Sequence, residues 1–323
     1  MKKILFYTHN IFTKENPVGY RIQQYFPYLE QSGFKISLLT TKADLGTVLK
    51  TASRSDIVVV QRVLLSPMKL SLFKMFAKKM VYDFDDAVMY GSKGESATRR
   101  NRFAAMVKAS RTVLCGNSFL MEEAGKYRDS GIHYMPTTVD IDEYPVKEHE
   151  ERKTFVVGWI GTSSTLRYLD GIKDLILSIT DREGIEFRVI ADRPFAVEKR
   201  GITFQRWNKE REKTMLLDFD MGIMPARDDI WSRGKCGLKL IQYMAMGLPS
   251  VTNPVGVSKE MVADGVNGFL RTDIRGWEEA IGALSTDVPL RRRMGAAARK
   301  TAVERYSLQV WGRKFVEIVD SLL

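Results

Sequence analysis

Residues 218–270, DFDMGIMPARDDIWSRGKCGLKLIQYMAMGLPSVTNPVGVSKEMVADGVNGFL, constrain the fold of this chain more than any other stretch. Met221 to Pro225 is a short apolar run ending at a proline, the mark of a buried strand leaving a sheet. A polar loop follows, with Arg227, Asp228, Asp229, Trp231 and Arg233. Gly237 to Met246 then has helical spacing and stops at Gly247-Leu248-Pro249, a helix-ending glycine followed by a proline. Ser250 to Thr252 resumes a strand. Strand, helix and strand in this order predict a crossover unit of a parallel sheet.

The helix carries an unusual pattern. Leu238, Leu240, Ile241, Met244 and Ala245 make it apolar on most sides, which predicts burial between layers. Lys235, Lys239 and Gln242 nevertheless fall at i, i+4 and i+7, on one narrow stripe. Two cations at the start of a helix oppose its dipole unless an anion sits there too. Free N–H groups with lysines beside them make a phosphate site. The same spacing also suits a lysine pair reaching solvent at the edge of an ordinary helix, and spacing alone does not choose between the two.

Strand-like runs at Lys3–Thr8, Phe34–Thr40, Asp56–Gln61, Met80–Tyr82, Arg111–Cys115 and Ile132–Met135 alternate with helical segments, and the alternation restarts at Thr154–Ile160 after the charged linker PVKEHEERK. A length of 323 residues accommodates two domains. With 44% hydrophobic and 28% charged residues the chain reads as a soluble globular protein. No run approaches the length of an apolar membrane span. The opening MKKILFYTHNIF reads as a first strand rather than a signal peptide, which points to the cytosol. Cys115 and Cys236 stand alone, as in a reducing compartment, and His9, His133 and His149 are scattered, so neither a metal site nor a cofactor is expected. The formal charge of +11 favours anionic partners. Phosphorylated ligands and the cytoplasmic face of a membrane fit this balance. Nucleic acid is not expected, because no zinc-finger spacing or RNA-binding aromatic signature accompanies the charge.

Four further places carry chemistry. Asp83, Asp85 and Asp86 put three carboxylates in four residues at a strand end, which is costly unless ligand groups or cations offset them. They suit binding an acceptor hydroxyl or handling its proton, and equally a helix cap with a solvated neighbour. Asn117 or Ser118 caps the helix that follows the next strand. The small-residue turn Gly161-Thr162-Ser163-Ser164 leads from a strand into a helix, where phosphate oxygens can meet backbone N–H groups. Pro67 to Lys79 mixes Met68, Leu70, Leu72, Phe73, Met75 and Phe76 with four lysines; it suits a sheet-packed crossover helix or a helix docked on anionic lipid.

The PARDDIWSRGK loop, the GLKLIQYMAMGLPSV helix, the NPVGVSKEMV turn and DGVNGFL, in that order, closely resemble the nucleotide-sugar site of GT-B glycosyltransferases of family 4. The resemblance implies an α/β fold of two Rossmann-like domains facing a cleft: residues 1–145 on the acceptor side, 146–305 binding the nucleotide sugar, and a last helix at 306–323 crossing back. It implies a diphosphate held by Arg233, Lys235, Lys239 and the helix N-terminus, a donor sugar met by backbone N–H groups of Cys236, Gly237 and Leu238, and Gly161, Thr162 and Arg167 at the first turn of that domain. Gly19, Asn117 and the Asp83–Asp86 cluster fall near donor and acceptor by the same comparison, and Trp207 opens the stretch that faces the base.

The chain departs from the family at several positions. Asp83 lies where many members have a histidine-containing segment, Thr137 and Thr138 replace an asparagine-glycine pair, and Thr162 replaces an arginine. Gly234 and Gln242 stand at the places of two glutamates that meet the donor sugar and the ribose, leaving the sugar to backbone N–H groups, with Asp228 or Asp229. The resemblance implies a retaining, metal-independent transfer of a sugar from a UDP- or GDP-sugar to a glycan or lipid-linked acceptor in cell-surface polysaccharide synthesis, in the cytoplasm or at the inner membrane face. The rivals are a silent nucleotide-sugar-binding or membrane-associated assembly protein and a GT-B nucleotide-sugar epimerase.

Overall fold

A computed structural model describes residues 1–9, 21–91 and 94–323. It divides into two compact units, each described on its own: unit 1 comprises Met1–Thr138, Arg233–Cys236 and Leu308–Leu323, and unit 2 comprises Val139–Ser232 and Gly237–Ser307.

Unit 1 opens with β1 (Lys2–Thr8), α1 (Phe26–Gln31), β2 (Phe34–Thr40), α2 (Leu45–Arg54), β3 (Ile57–Gln61) and α3 (Pro67–Phe76). It continues with β4 (Met80–Phe84), α4 (Ala97–Ala109), β5 (Thr112–Cys115), α5 (Ser118–Gly125) and β6 (Ile132–Tyr134). The strands form one parallel sheet in the order β2-β1-β3-β4-β5-β6. β3 and β4 are buried along their whole length, as the unbroken runs IVVVQ and MVYDF require of strands covered on both faces. Asp44, Ser66 and Asn117 cap α2, α3 and α5 with their side chains, which supplies partners for the first N–H groups of those helices.

Unit 2 has β7 (Phe155–Ile160), α6 (Arg167–Asp170), α7 (Lys173–Thr180), β8 (Ile185–Ala191), β9 (Ile202–Arg206), α8 (Glu212–Leu217) and β10 (Met221–Met224). After α9 (Ile230–Arg233), whose last residue belongs to unit 1, come α10 (Leu238–Ala245), β11 (Ser250–Thr252), α11 (Ser258–Met261), β12 (Phe269–Leu270), α12 (Ile274–Thr286) and α13 (Val288–Arg305). Its sheet is also parallel, ordered β12-β11-β10-β7-β8-β9. The core of this unit gathers Trp159, Leu169, Phe187, Ile223 and Trp277.

The final helix, α14 (Leu308–Asp320), joins unit 1. Leu308, Trp311, Phe315 and Val319 enter the core formed by Phe6, Tyr25 and Leu29, and Phe315 lies 5.1 Å from the Tyr25 ring. Gly312 permits that approach, since a Cβ there would stand 2.7 Å from the Tyr28 ring.

In the charged segment 145–153 most residues are exposed, as a charged linker requires, but two are not. Lys147 and His149 are buried in unit 2, where Lys147 Nζ donates to the Leu217 carbonyl at 2.6 Å and His149 meets the Gly247 carbonyl at 2.8 Å. Lys147 packs its aliphatic stem into the unit and sets its ammonium 3.5 Å from Asp220.

In both sheets the chain reverses its direction of growth once. The reversal lies between β1 and β3 in unit 1 and between β7 and β10 in unit 2. Ligands of open parallel sheets bind beyond the carboxyl ends of strands at such points.

Candidate functional site

The carboxyl ends of β3, β4 and β5 in unit 1 collect the acidic turn and its partners. Asp83, the penultimate residue of β4, is buried and receives Arg21 on both oxygens, the shortest contact being 2.6 Å. Arg21 also donates to the Met135 carbonyl. Burial raises the pKa of Asp83, with the Arg21 charge opposing it. Burial by itself would lower the Arg21 guanidinium, but Asp83 and Asp85 more than offset this and hold it firmly charged.

Asp85 and Asp86 lie just beyond the strand and meet Arg62, whose Nε is 3.4 Å from Asp85 and whose Nη2 donates to Asp86 at 2.7 Å. Arg62 follows β3 with a φ of +59°, a left-handed backbone that a non-glycine residue keeps only when its surroundings impose it. Its N–H donates to the Asp83 carbonyl and its side chain to the carboxylates, so both ends are fixed. The carboxylate repulsion predicted from sequence is thus offset by protein cations.

Residues 233–236 add a third cation to this cluster. Lys235 Nζ donates to Asp86 at 3.0 Å, and the Cys236 thiol donates to the Asp85 carbonyl at 3.2 Å. Burial, with Asp85 nearby, pushes the Cys236 thiol far up, so it stays neutral and serves as that donor. Asn117 accepts from Leu120 N–H as the cap of α5 and donates to the carbonyls of Arg233 and Lys235 at 3.1 and 2.9 Å. Gly116 and Gly234 are required here by close approach: a Cβ would stand 2.3 Å from Cys236 Sγ at the first and 2.6 Å from Ala87 Cβ at the second.

In unit 2 the turn after β7 and the start of α10 hold the expected donor residues. Thr162 N–H donates to Thr165 Oγ1 at 3.1 Å and the Thr162 carbonyl accepts the Thr165 amide, which closes a tight turn after Gly161. Gly161 packs on Trp159, where a Cβ would be 2.3 Å from the indole. The Arg167 guanidinium stacks over Tyr168 at 5.2 Å. Asp229 accepts from Ser232 N–H at 2.7 Å and so starts α9, while Asp228 is exposed in the same loop.

The cationic stripe predicted on the helix does not form. α10 begins at Leu238, behind Gly237 in the left-handed conformation with φ +68°, so Lys235 precedes the helix and belongs to unit 1. The turn at Gly237 breaks the helical register that sequence spacing assumed. No side chain caps α10, in contrast to α2, α3, α5, α12 and α13. Lys239, in its first turn, lies 5.3 Å over the Trp159 ring.

Gln242 is buried and donates to Glu212 at 2.7 Å, with Tyr144 Oη at 3.4 Å. The other oxygen of Glu212 accepts from the Trp207 indole at 2.6 Å. Sequence reasoning missed Arg21, Arg62 and Glu212. Arg62 had a signal, since it directly follows a strand at the carboxyl edge of a parallel sheet; nothing in the spacing marks the other two. A cavity of about 200 Å³ opens beside the end of β10, lined by Tyr168, Leu175, Pro225, Arg227, Asn253 and Trp277, and none of these is an expected donor residue. Gly19 lies outside the described residues.

Residues 155–287 match the family model described as Glycosyl transferases group 1. No protein of curated function matches by sequence. Among solved structures, sucrose-phosphate synthase from Thermosynechococcus elongatus is similar at 13% identity and a TM-score of 0.75, covering 100% of this chain and 99% of that one. Anabaena HepE in complex with UDP and glucose is similar at 16% identity and a TM-score of 0.75, over 99% and 100% of the two chains. A glycosyltransferase from Rickettsia africae ESF-5 gives a TM-score of 0.77 at 14% identity, over 99% and 98%. Residues 155–287 therefore match the glycosyl transferases group 1 model, within a chain that shares the GT-B fold of these solved structures.

Proposed function

We propose that this protein is a retaining, metal-independent glycosyltransferase that moves a sugar from a UDP- or GDP-sugar to a glycan or lipid-linked acceptor in cell-surface polysaccharide synthesis, working in the cytoplasm or against the inner face of the membrane. The observation that carries the donor side is the start of α10. This helix stands at the reversal point of the unit 2 sheet, has no side-chain cap, and has Lys239 in its first turn. Uncapped N–H groups at a helix start bind phosphate oxygens, and the helix dipole favours their charge. The leaving diphosphate gains charge as the glycosidic bond breaks, so fixed donors there lower the barrier without a divalent ion. The turn at Gly161, Thr162 and Arg167 follows the adjacent strand β7; its Gly161 and Thr162 N–H groups are bonded within the unit, so the Arg167 guanidinium is what it offers the diphosphate. The solved complex of the similar Anabaena protein with UDP and glucose supports a uridine donor. On the acceptor side, Asp85 and Asp86 orient a hydroxyl while Arg62 holds them in place.

The test is thermal-shift binding against UDP, GDP, ADP, CMP and their sugars, with and without EDTA. One nucleotide diphosphate should raise the melting temperature, because a ligand of the folded state stabilises it by mass action. The shift should survive EDTA and shrink in Lys239→Ala. Acceptor-dependent release of that nucleotide then separates transfer from a silent binder and from an epimerase. No shift with any nucleotide would overturn the donor assignment.

A further inference from the structure

The outward face of α3 has a composition that its packing does not explain. Leu70 and Phe73 point into unit 1, with Phe73 5.3 Å from the Tyr7 ring, and they complete the stripe that a crossover helix needs. Met68, Met75 and Phe76 are left outside at 66%, 74% and 38% exposure. Met68 and Met75 are seven residues apart, two turns along one side of the helix. Lys74 is exposed at the flank of that side.

α4 packs beside α3. Together the two helices contain Lys69, Lys74, Arg99, Arg100, Arg102 and Lys108 and no acidic residue. Lys78 and Lys79 follow α3 directly. Some of this charge is used locally: Lys78 pairs with Asp56 and Arg100 with Glu95 and Glu123. Lys69, Lys74, Arg102 and Lys108 form no ion pair among the described residues. Exposed methionine and phenylalanine within unneutralised lysine and arginine match the interfacial zone of an anionic bilayer, where the apolar tips enter the acyl boundary and the cations meet lipid phosphates.

We propose that α3, supported by α4, is a docking surface for anionic membrane, with Met68, Met75 and Phe76 inserted and Lys69 and Lys74 on the headgroups. The choice of a lipid surface rests on the lipid-linked acceptor of the function proposed above. The docking itself does not depend on donor chemistry, so the two are tested by different readouts.

The experiment is flotation of the full chain with vesicles of phosphatidylcholine alone and of phosphatidylcholine mixed with phosphatidylglycerol. The protein should float only with the anionic vesicles, and less so as salt rises. Lys69→Gln and Lys74→Gln should each weaken binding about fivefold, and Met68→Ser with Met75→Ser about tenfold or more, with melting temperature and nucleotide shift unchanged. Met75→Cys, labelled with a polarity-sensitive dye, should shift to the blue on anionic vesicles; Cys115 and Cys236 are buried and escape the label. Absence of flotation, flotation indifferent to both sets of substitutions, or an unshifted label would overturn the proposal. Self-association through this face without vesicle binding would also overturn it, in favour of a protein contact. A nucleotide shift that persists in a protein that does not float would sink the docking surface and leave the transferase reading intact.

Discussion

Asp83, Asp85 and Asp86 are tolerated together because each meets a cation: Arg21 takes Asp83, Arg62 spans Asp85 and Asp86, and Lys235 adds to Asp86. The first pair is buried on both sides, so removing one partner leaves an uncompensated charge. Arg21→Met should cost about 3–5 kcal/mol in denaturant unfolding, and Arg21→Met combined with Asp83→Leu should recover much of it; equal losses in both variants would contradict this account. The two departures from the family's glutamate pair have local causes as well. Gly234 stands against Ala87 with no room for a Cβ. Gly234→Glu should therefore lower stability by about 1–3 kcal/mol through overpacking and should not raise turnover. Gln242 donates to the buried Glu212. Gln242→Glu would set two carboxylates against each other, raising the pKa at which the pair takes up its proton. A raised acid pKa favours folding at low pH and is lost as pH rises, so this variant should be closest to the parent in acid and fall behind toward neutrality. The penalty is about 1.4 kcal/mol per unit of raised pKa, read from unfolding curves at several pH values.

At the scale of elements, the segment 145–153 behaves as part of unit 2. The Gly247 carbonyl can only accept, so His149 carries its proton on Nε2, and Nδ1 is buried without a partner. Burial lowers the His149 pKa, with the Gly247 carbonyl opposing it and Arg291 and Lys147 adding to the fall. A lowered base pKa means that the unfolded chain takes up the proton first on acidification. The resulting stability is complete above the ordinary value of 6.5 and declines as pH falls below it. His149→Gln should flatten the dependence of stability on pH in that range; an unchanged slope would remove His149 from the account. Helix α14 is likewise an element of unit 1. Its Trp311 and Phe315 are core residues, and Gly312→Val would drive a side chain into Tyr28. A lower melting temperature for that variant, with nucleotide binding retained, is the expected outcome.

At the scale of the molecule, two sheets of the same parallel kind each present one reversal point. The formal charge of +11 serves several ends. Arg21, Arg62 and Lys235 neutralise carboxylates, Lys239 stands at the start of α10, and Lys74 of α3 and Lys108 of α4 are exposed. Hydrogen exchange read over the whole chain tests the donor assignment. Addition of the nucleotide that raises the melting temperature should slow exchange at residues 161–165 and 237–241. Protection confined to other segments would place the nucleotide elsewhere.

Most of the fold was legible in the sequence, because buried parallel strands are short apolar runs and their crossover helices have a clear period. Phe34–Thr40 and Ser250–Thr252 have the limits their sequences predict. The order of loop, helix and glycine turns after β10 was enough to name the GT-B fold. Pairing was not legible. Arg21 reaches a carboxylate 62 residues away, Cys236 a carbonyl 151 residues away, and Glu212 and Gln242 meet across 30 residues. Such contacts depend on how strands and helices are stacked, which local period does not encode. The stripe of Lys235, Lys239 and Gln242 failed for the same reason, since a single left-handed glycine at position 237 separates a loop from a helix. Sequence alone determined the two parallel sheets and their crossover helices. Tertiary structure decided which charges are spent within the protein and which remain for a partner, because burial and distance set the energy of a charge and neither is a property of sequence spacing.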